Sequence, residues 1–172
     1  MSFQQGEQNS PVLDYARSLL VALQTGAQWG HCYQSAYPAF FVFPGLFYPH
    51  GTFVEGWVVF KDDHRVVLME HGWLVSGVRI IDPTIVLGLS PDQPVFYFSG
   101  VVRSWEETDA LENQLFPHVR FSGYGEDGMG HPGYKAAYEA ARRKATEMAI
   151  AGKELVEVWA TDVSRLMNRE EE

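Results

Sequence analysis

The chain has 172 residues, 46% hydrophobic and 14% aromatic, with a formal net charge of −9 from 13 Lys+Arg against 22 Asp+Glu and with one cysteine. That size suits one globular domain spanning 1–172, with flexible ends expected at 1–9 and 168–172. The acidic balance, with no run of basic residues interleaved with aromatics, argues against nucleic acid as a partner, and a lone cysteine excludes an intramolecular disulfide.

In chain order, MSFQQGEQNS at the start lacks the charged and apolar parts of a signal peptide, so a cytoplasmic location is the expectation. Ser10 followed by Pro11 reads as an N-cap and first helical position, with Val12, Leu13, Ala16, Leu19, Leu20 and Leu23 at helical spacing up to a stop at Gly26. Cys32 opens the short segment CYQSAY, which Pro38 limits to about two helical turns. The apolar run AFFVFPGLF is interrupted by Pro44 and Gly45 and is too short to cross a bilayer, so no membrane partner is expected. From Thr52 to Ile85 the pattern turns β-rich, with TFVEGWVVF, RVVLMEHGWLV and VRIID separated by KDDH and SG, as in an antiparallel meander. VFYFSGVV from Val95 to Val102 is a further strand. Ser104 and Glu107 then form a capping box that opens a helix. The glycine-rich stretch SGYGEDGMGHPG, Ser122 to Gly133, reads as a connector or a lid, because it has neither a phosphate-loop lysine nor EF-hand ligand spacing. A long helix from about Pro132 to Ala151 follows, with Gly152 as its cap.

The chemistry-bearing residues lie in the first half of the chain. A two-residue turn at Ser76-Gly77 would pair Val75 with Val78, Trp73 with Ile80 and His71 with Asp82, whose Cβ atoms would stand about 5 Å apart. A carboxylate there accepts a hydrogen bond from one imidazole nitrogen and leaves the other free to act. A three-residue turn would instead move Asp82 to the opposite face. Cys32, following Gly30 and His31, stands at a helix start, where a thiolate gains support from first-turn amides and from a neighbouring histidinium. The same amides are positioned as an oxyanion hole. A lone cysteine is ordinarily a small buried hydrophobe, and a lone histidine or Asp-Pro pair is ordinarily structural. His31 beside Cys32 lacks the further ligands of a zinc site, so no metal or other cofactor is expected.

Cys32, then His71-Gly72-Trp73, then Asp82-Pro83-Thr84, in that order, resemble the transglutaminase-like and papain-like cysteine-enzyme superfamily. The similarity covers about Gln28 to Thr84 and extends weakly to Glu55-Gly56-Trp57. Gly72 stands where many members carry alanine or a larger residue. The resemblance implies an α+β fold, with a helix carrying the catalytic cysteine packed against an antiparallel β-sheet carrying histidine and aspartate. It also implies Cys32, His71 and Asp82 as a catalytic triad, with Gln28 as the oxyanion candidate. Trp57 and Trp73 are core residues or cleft walls. The expected activity is thiol-dependent acyl transfer on a peptide, protein or small amide substrate, by hydrolysis or transamidation. The alternative is a catalytically silent member of the same fold that binds a peptide or protein. Oligomeric state is not legible in the sequence.

Overall fold

The computed structural model describes residues 11–115, 131–150 and 152–159. Ser10, most of the glycine-rich stretch and both expected flexible ends lie outside them. The elements in chain order are β1 (Val12–Leu13), α1 (Tyr15–Thr25), α2 (Cys32–Val42), α3 (Pro44–Phe47), β2 (Thr52–Lys61), β3 (Arg65–Ser76), β4 (Arg79–Ile81), α4 (Ile85–Gly88), β5 (Val95–Ser104), α5 (Trp105–Leu115), α6 (Pro132–Ala149) and β6 (Glu154–Val158). This is an α+β architecture.

The sheet is mixed, not antiparallel throughout. Its order is β1-β4-β3-β2-β5, with β6 also on β3, and both β1 on β4 and β6 on β3 run parallel. A meander was expected because consecutive strands with short turns favour antiparallel neighbours, and that holds for β2-β3-β4. Strand β5 instead returns to the far edge of β2, with a bulge between Glu55 and Gly56. The bulge accommodates Gly56, where a Cβ would meet the Phe98 carbonyl oxygen at 2.1 Å.

The first helix starts later than Ser10-Pro11 suggested. The Val12 N–H bonds the Val78 carbonyl at 3.0 Å and the Asp14 N–H bonds that of Ile80 at 2.9 Å, so the sheet claims Val12 and Leu13 as a strand. Asp14 then caps α1, accepting from the Arg17 N–H at 3.1 Å, and Gly26 ends the helix at φ 67°. Its buried face is Ser18, Val21 and Ala22, while Leu20 and Leu23 are exposed. Helix α2 also departs from expectation, running through Pro38 to Val42. Proline removes one backbone donor but keeps a helical φ, and the burial of Ala36, Ala39 and Phe40 on both sides of it offsets the loss. The capping box of α5 forms as read, with the Glu107 N–H on Ser104 Oγ at 3.2 Å and the Ser104 N–H on Glu107 Oε2 at 2.8 Å.

Alternation along β2 and β3 sorts the core into two faces. Val54, Val58, Met69 and Trp73 pack with Ala22 of α1 and Ile85 and Val86 of α4. On the other face Trp57, Val59, Val66 and Leu68 pack with Tyr134, Ala137 and Ala141 of α6, while Phe53 and Leu74 pack with Tyr33, Ala36 and Phe40 of α2. Strand β2 fills one edge of β3 along almost its whole length. On the opposite edge β6 takes Arg65–Met69 and β4 takes Leu74–Ser76. Residues 70–73 between them have no strand partner on that edge among the described residues, and the N-terminal end of α2 approaches there.

Candidate active site

The β3–β4 turn differs from the expected one by one residue. Gly77 and Val78 are its central residues, Ser76 pairs with Arg79 and Leu74 with Ile81, and Gly77 has φ 59°. Sliding a two-residue turn by one position shifts every cross-strand pair by two residues, and this preserves which face each residue occupies. Continuing the register puts Asp82 opposite Trp73, on the same face as His71, and a diagonal neighbour remains within reach. The contact therefore forms: His71 Nε2 and Asp82 Oδ2 are 2.7 Å apart, both fully buried.

Asp82 is held from several sides. Its Oδ2 also accepts from the Tyr97 hydroxyl at 3.0 Å, and its Oδ1 accepts from the Thr84 N–H at 3.2 Å, the Thr84 hydroxyl at 3.0 Å and the Ile85 N–H at 3.0 Å. Its own N–H bonds Ser18 Oγ at 2.9 Å, which accounts for a buried serine on α1. Asp82 thus also starts the turn into α4. Burial disfavours its charged form, but His71 and these donors outweigh burial and hold its carboxyl below the ordinary value.

The second ring nitrogen of His71 is not engaged by Asp82 and has Cys32 as its hydrogen-bonding neighbour. Nδ1 is buried with no nitrogen or oxygen partner, and the ring lies with Cys32, Trp29, Gly30, Met69, Glu70 and Thr84 around a cavity of about 10 Å³. Burial opposes the imidazolium. The Asp82 carboxylate and the nearby Cys32 sulfur outweigh it and push the ring's pKa up to about 10. Trp73 lies near-parallel to the imidazole, 19° between planes with centroids 6.2 Å apart, and is a buried core residue that does not line the cavity. Cys32 is the first residue of α2, is buried, and follows the N-cap His31, which makes no side-chain capping bond. The first-turn amides of α2 are therefore not capped by a side chain and point toward the cavity end of the helix.

Two further sequence candidates do not line the cavity. Gln28 is exposed, its N–H bonds Ser35 Oγ at 3.4 Å, and it does not line the cavity. Trp57 is fully buried on the α6 face among Tyr134, Tyr138 and Trp159, as a core residue. Gly72 is explained by packing, because a Cβ there would meet the Tyr33 ring at 2.8 Å.

A second polar cluster on the α2–α6 face was not read from the sequence. Glu70 lines the cavity and accepts from the Tyr134 hydroxyl, and Glu55 pairs with Arg103. Burial, against the pull of Arg103 and with the push of Glu70, raises Glu55 to about 7. The Tyr33 hydroxyl and Glu55 Oε1 are buried without hydrogen-bond partners. The available signal was an ionisable residue set between apolar ones in a strand, in VEGW and MEHG. Among the described residues no group of three or more His, Cys, Asp or Glu could hold a metal ion, and no helix is long and apolar enough to cross a membrane.

Comparison with protein-family models, with curated proteins and with solved structures finds no match for this chain.

Proposed function

We propose that this protein is a thiol-dependent acyl-transfer enzyme of papain-like or transglutaminase-like architecture, acting on an amide or peptide. The observation that carries the reading is the division of labour on one ring: His71 Nε2 is engaged by Asp82, and the other side of the ring shares a cavity and an interaction with the only cysteine. In the proposed cycle His71 holds the proton taken from Cys32, and the thiolate attacks the acyl carbon. The C–N bond then breaks, with His71 returning the proton to the leaving amine. Water or a second amine attacks the thioester and releases Cys32, giving hydrolysis or transamidation. The first-turn amides of α2 are the oxyanion donors in this scheme. Asp82 orients the imidazole and stabilises its charged form.

The near-complete burial of Cys32 and His71 favours a second reading, a silent relative that binds a peptide or protein. Alkylation separates the two. A thiol supported by an imidazolium is expected to react with iodoacetamide at about pH 6 at least tenfold faster than a free thiol peptide, and His71→Ala should abolish the excess. A rate no greater than that of the peptide would favour the binding module.

A further inference from the structure

The cavity at Cys32 holds about 10 Å³, room for roughly one water and for no acyl group. Beside it lies an open cleft of about 630 Å³, bordered by Phe60, Lys61, Asp62, Asp63, Gln93 and Lys153. Trp29 is the residue common to both linings. Its indole occupies the space over Gly88, where a Cβ would meet ring atoms at 2.3 Å and 2.4 Å, and it meets Phe60 edge-on at 6.3 Å. The side chain is nonetheless 37% exposed. It sits in a connection between Gly26 at φ 67° and Gly30 at φ 81°, conformations that side-chain-bearing residues rarely adopt. One aromatic ring thus borders both the cavity at the thiol and a space large enough for a substrate, on a short segment bounded by two permissive glycines.

We propose that Trp29 is the gate between Cys32 and this cleft, and that the cleft receives a polar, peptide-like acyl substrate. Two ammonium groups, two carboxylates and the Gln93 amide border it, with Phe60 and Trp29 as aromatic wall. Such a lining suits a chain carrying amides and charged groups, and desolvating it beneath a fatty acyl chain would be unfavourable. The proposal rests on Cys32 being the reacting thiol, but it is tested by access and not by turnover.

The single cysteine makes the readout unambiguous. Reaction of Cys32 with a bulky aryl disulfide that releases a coloured thiolate is compared with reaction with methyl methanethiosulfonate, in the wild type, Trp29→Ala and Gly88→Ala. The glycine variant retains the tryptophan and places a methyl group in the seat of its ring, so it tests the gate even where Trp29→Ala is poorly folded. Both variants are expected to react with the bulky reagent about tenfold faster or more, with a much smaller gain for the small reagent. Among mixed disulfides with the same leaving thiol, a short charged peptide should outpace a decyl chain. Bulky-reagent rates unchanged in both variants, or a gain equally large for the small reagent, would overturn the gate. A faster decyl reagent would overturn the substrate class. Gated access with no acyl-enzyme would refute the acyl-transfer reading alone.

Discussion

Asp82→Asn is expected to lower the melting temperature by on the order of 10 °C, from a loss of about 3 kcal/mol, and to slow Cys32 alkylation near pH 6 by about tenfold or more, as far as His71→Ala does. The amide is the same size, but its hydrogens fall in the wrong place. Oδ1 of Asp82 accepts three bonds from Thr84 and Ile85, so asparagine must keep its oxygen there and turn its NH₂ toward His71 Nε2 and the Tyr97 hydroxyl. Tyrosine can rotate its proton away. Histidine can accommodate the NH₂ only by moving its proton to Nδ1, and an Nδ1–H cannot take a proton from Cys32. The imidazolium also loses the carboxylate that offsets its burial. Because Asp82 both orients the ring and starts the turn into α4, stability and reactivity should fall together. An unchanged melt with unchanged alkylation would mean that Asp82 is not coupled to the thiol.

The second large effect is in pH. His71 is raised from 6.5 to about 10 in the folded protein, so its stabilising contribution is complete below about 6.5 and is lost as pH climbs toward 10. Asp82 is held below 3.8, so its contribution is present above that value and is lost as pH falls through the lowered one. Glu55, raised from 4.5 to about 7, adds stability that is present below 4.5 and lost as pH rises through 7. The melting temperature should therefore decline between about pH 7 and 10, in a window belonging to His71 alone among these three groups. His71→Ala should flatten that decline and, by leaving the buried Asp82 carboxylate without its cation, lower stability near neutrality by about 3–5 kcal/mol. Melting curves of wild type and variant that stay parallel from pH 7 to 10 would rule out the buried ion pair.

Features set by neighbours in sequence were legible before any coordinates. The β2–β3 hairpin around Asp62, the Ser104–Glu107 capping box and the Gly26 stop each depend on a few adjacent residues. What depended on distant segments was not. The parallel seat of β6 on β3 and of β1 on β4 requires long connections that leave no local signal. The buried face of α1 is chosen by α2, α4 and the Asp82 N–H, which select Ser18, Val21 and Ala22 over the larger leucines. At the site, the expected turn at Ser76-Gly77 was off by one, yet the approach of His71 and Asp82 survived because the shift preserves facing. Glu55 and Glu70 went unread because a carboxylate in a strand usually faces solvent, and the groups beside them, Tyr33 of α2 and Tyr134 of α6, come from distant segments. Gln28 does not line the cavity, although its neighbour Trp29 does.

Whether Cys32 carries an acyl group is the most direct question. Intact-mass spectrometry after brief incubation with activated acyl esters and short peptide amides, in the wild type, Cys32→Ala and His71→Ala, answers it. The expected result is one acyl adduct per chain that maps to Cys32, is released by hydroxylamine as a thioester would be, is absent from Cys32→Ala and forms at least about tenfold more slowly in His71→Ala. No adduct on Cys32, or an adduct that forms equally fast without His71, would contradict the assignment of this site to acyl transfer.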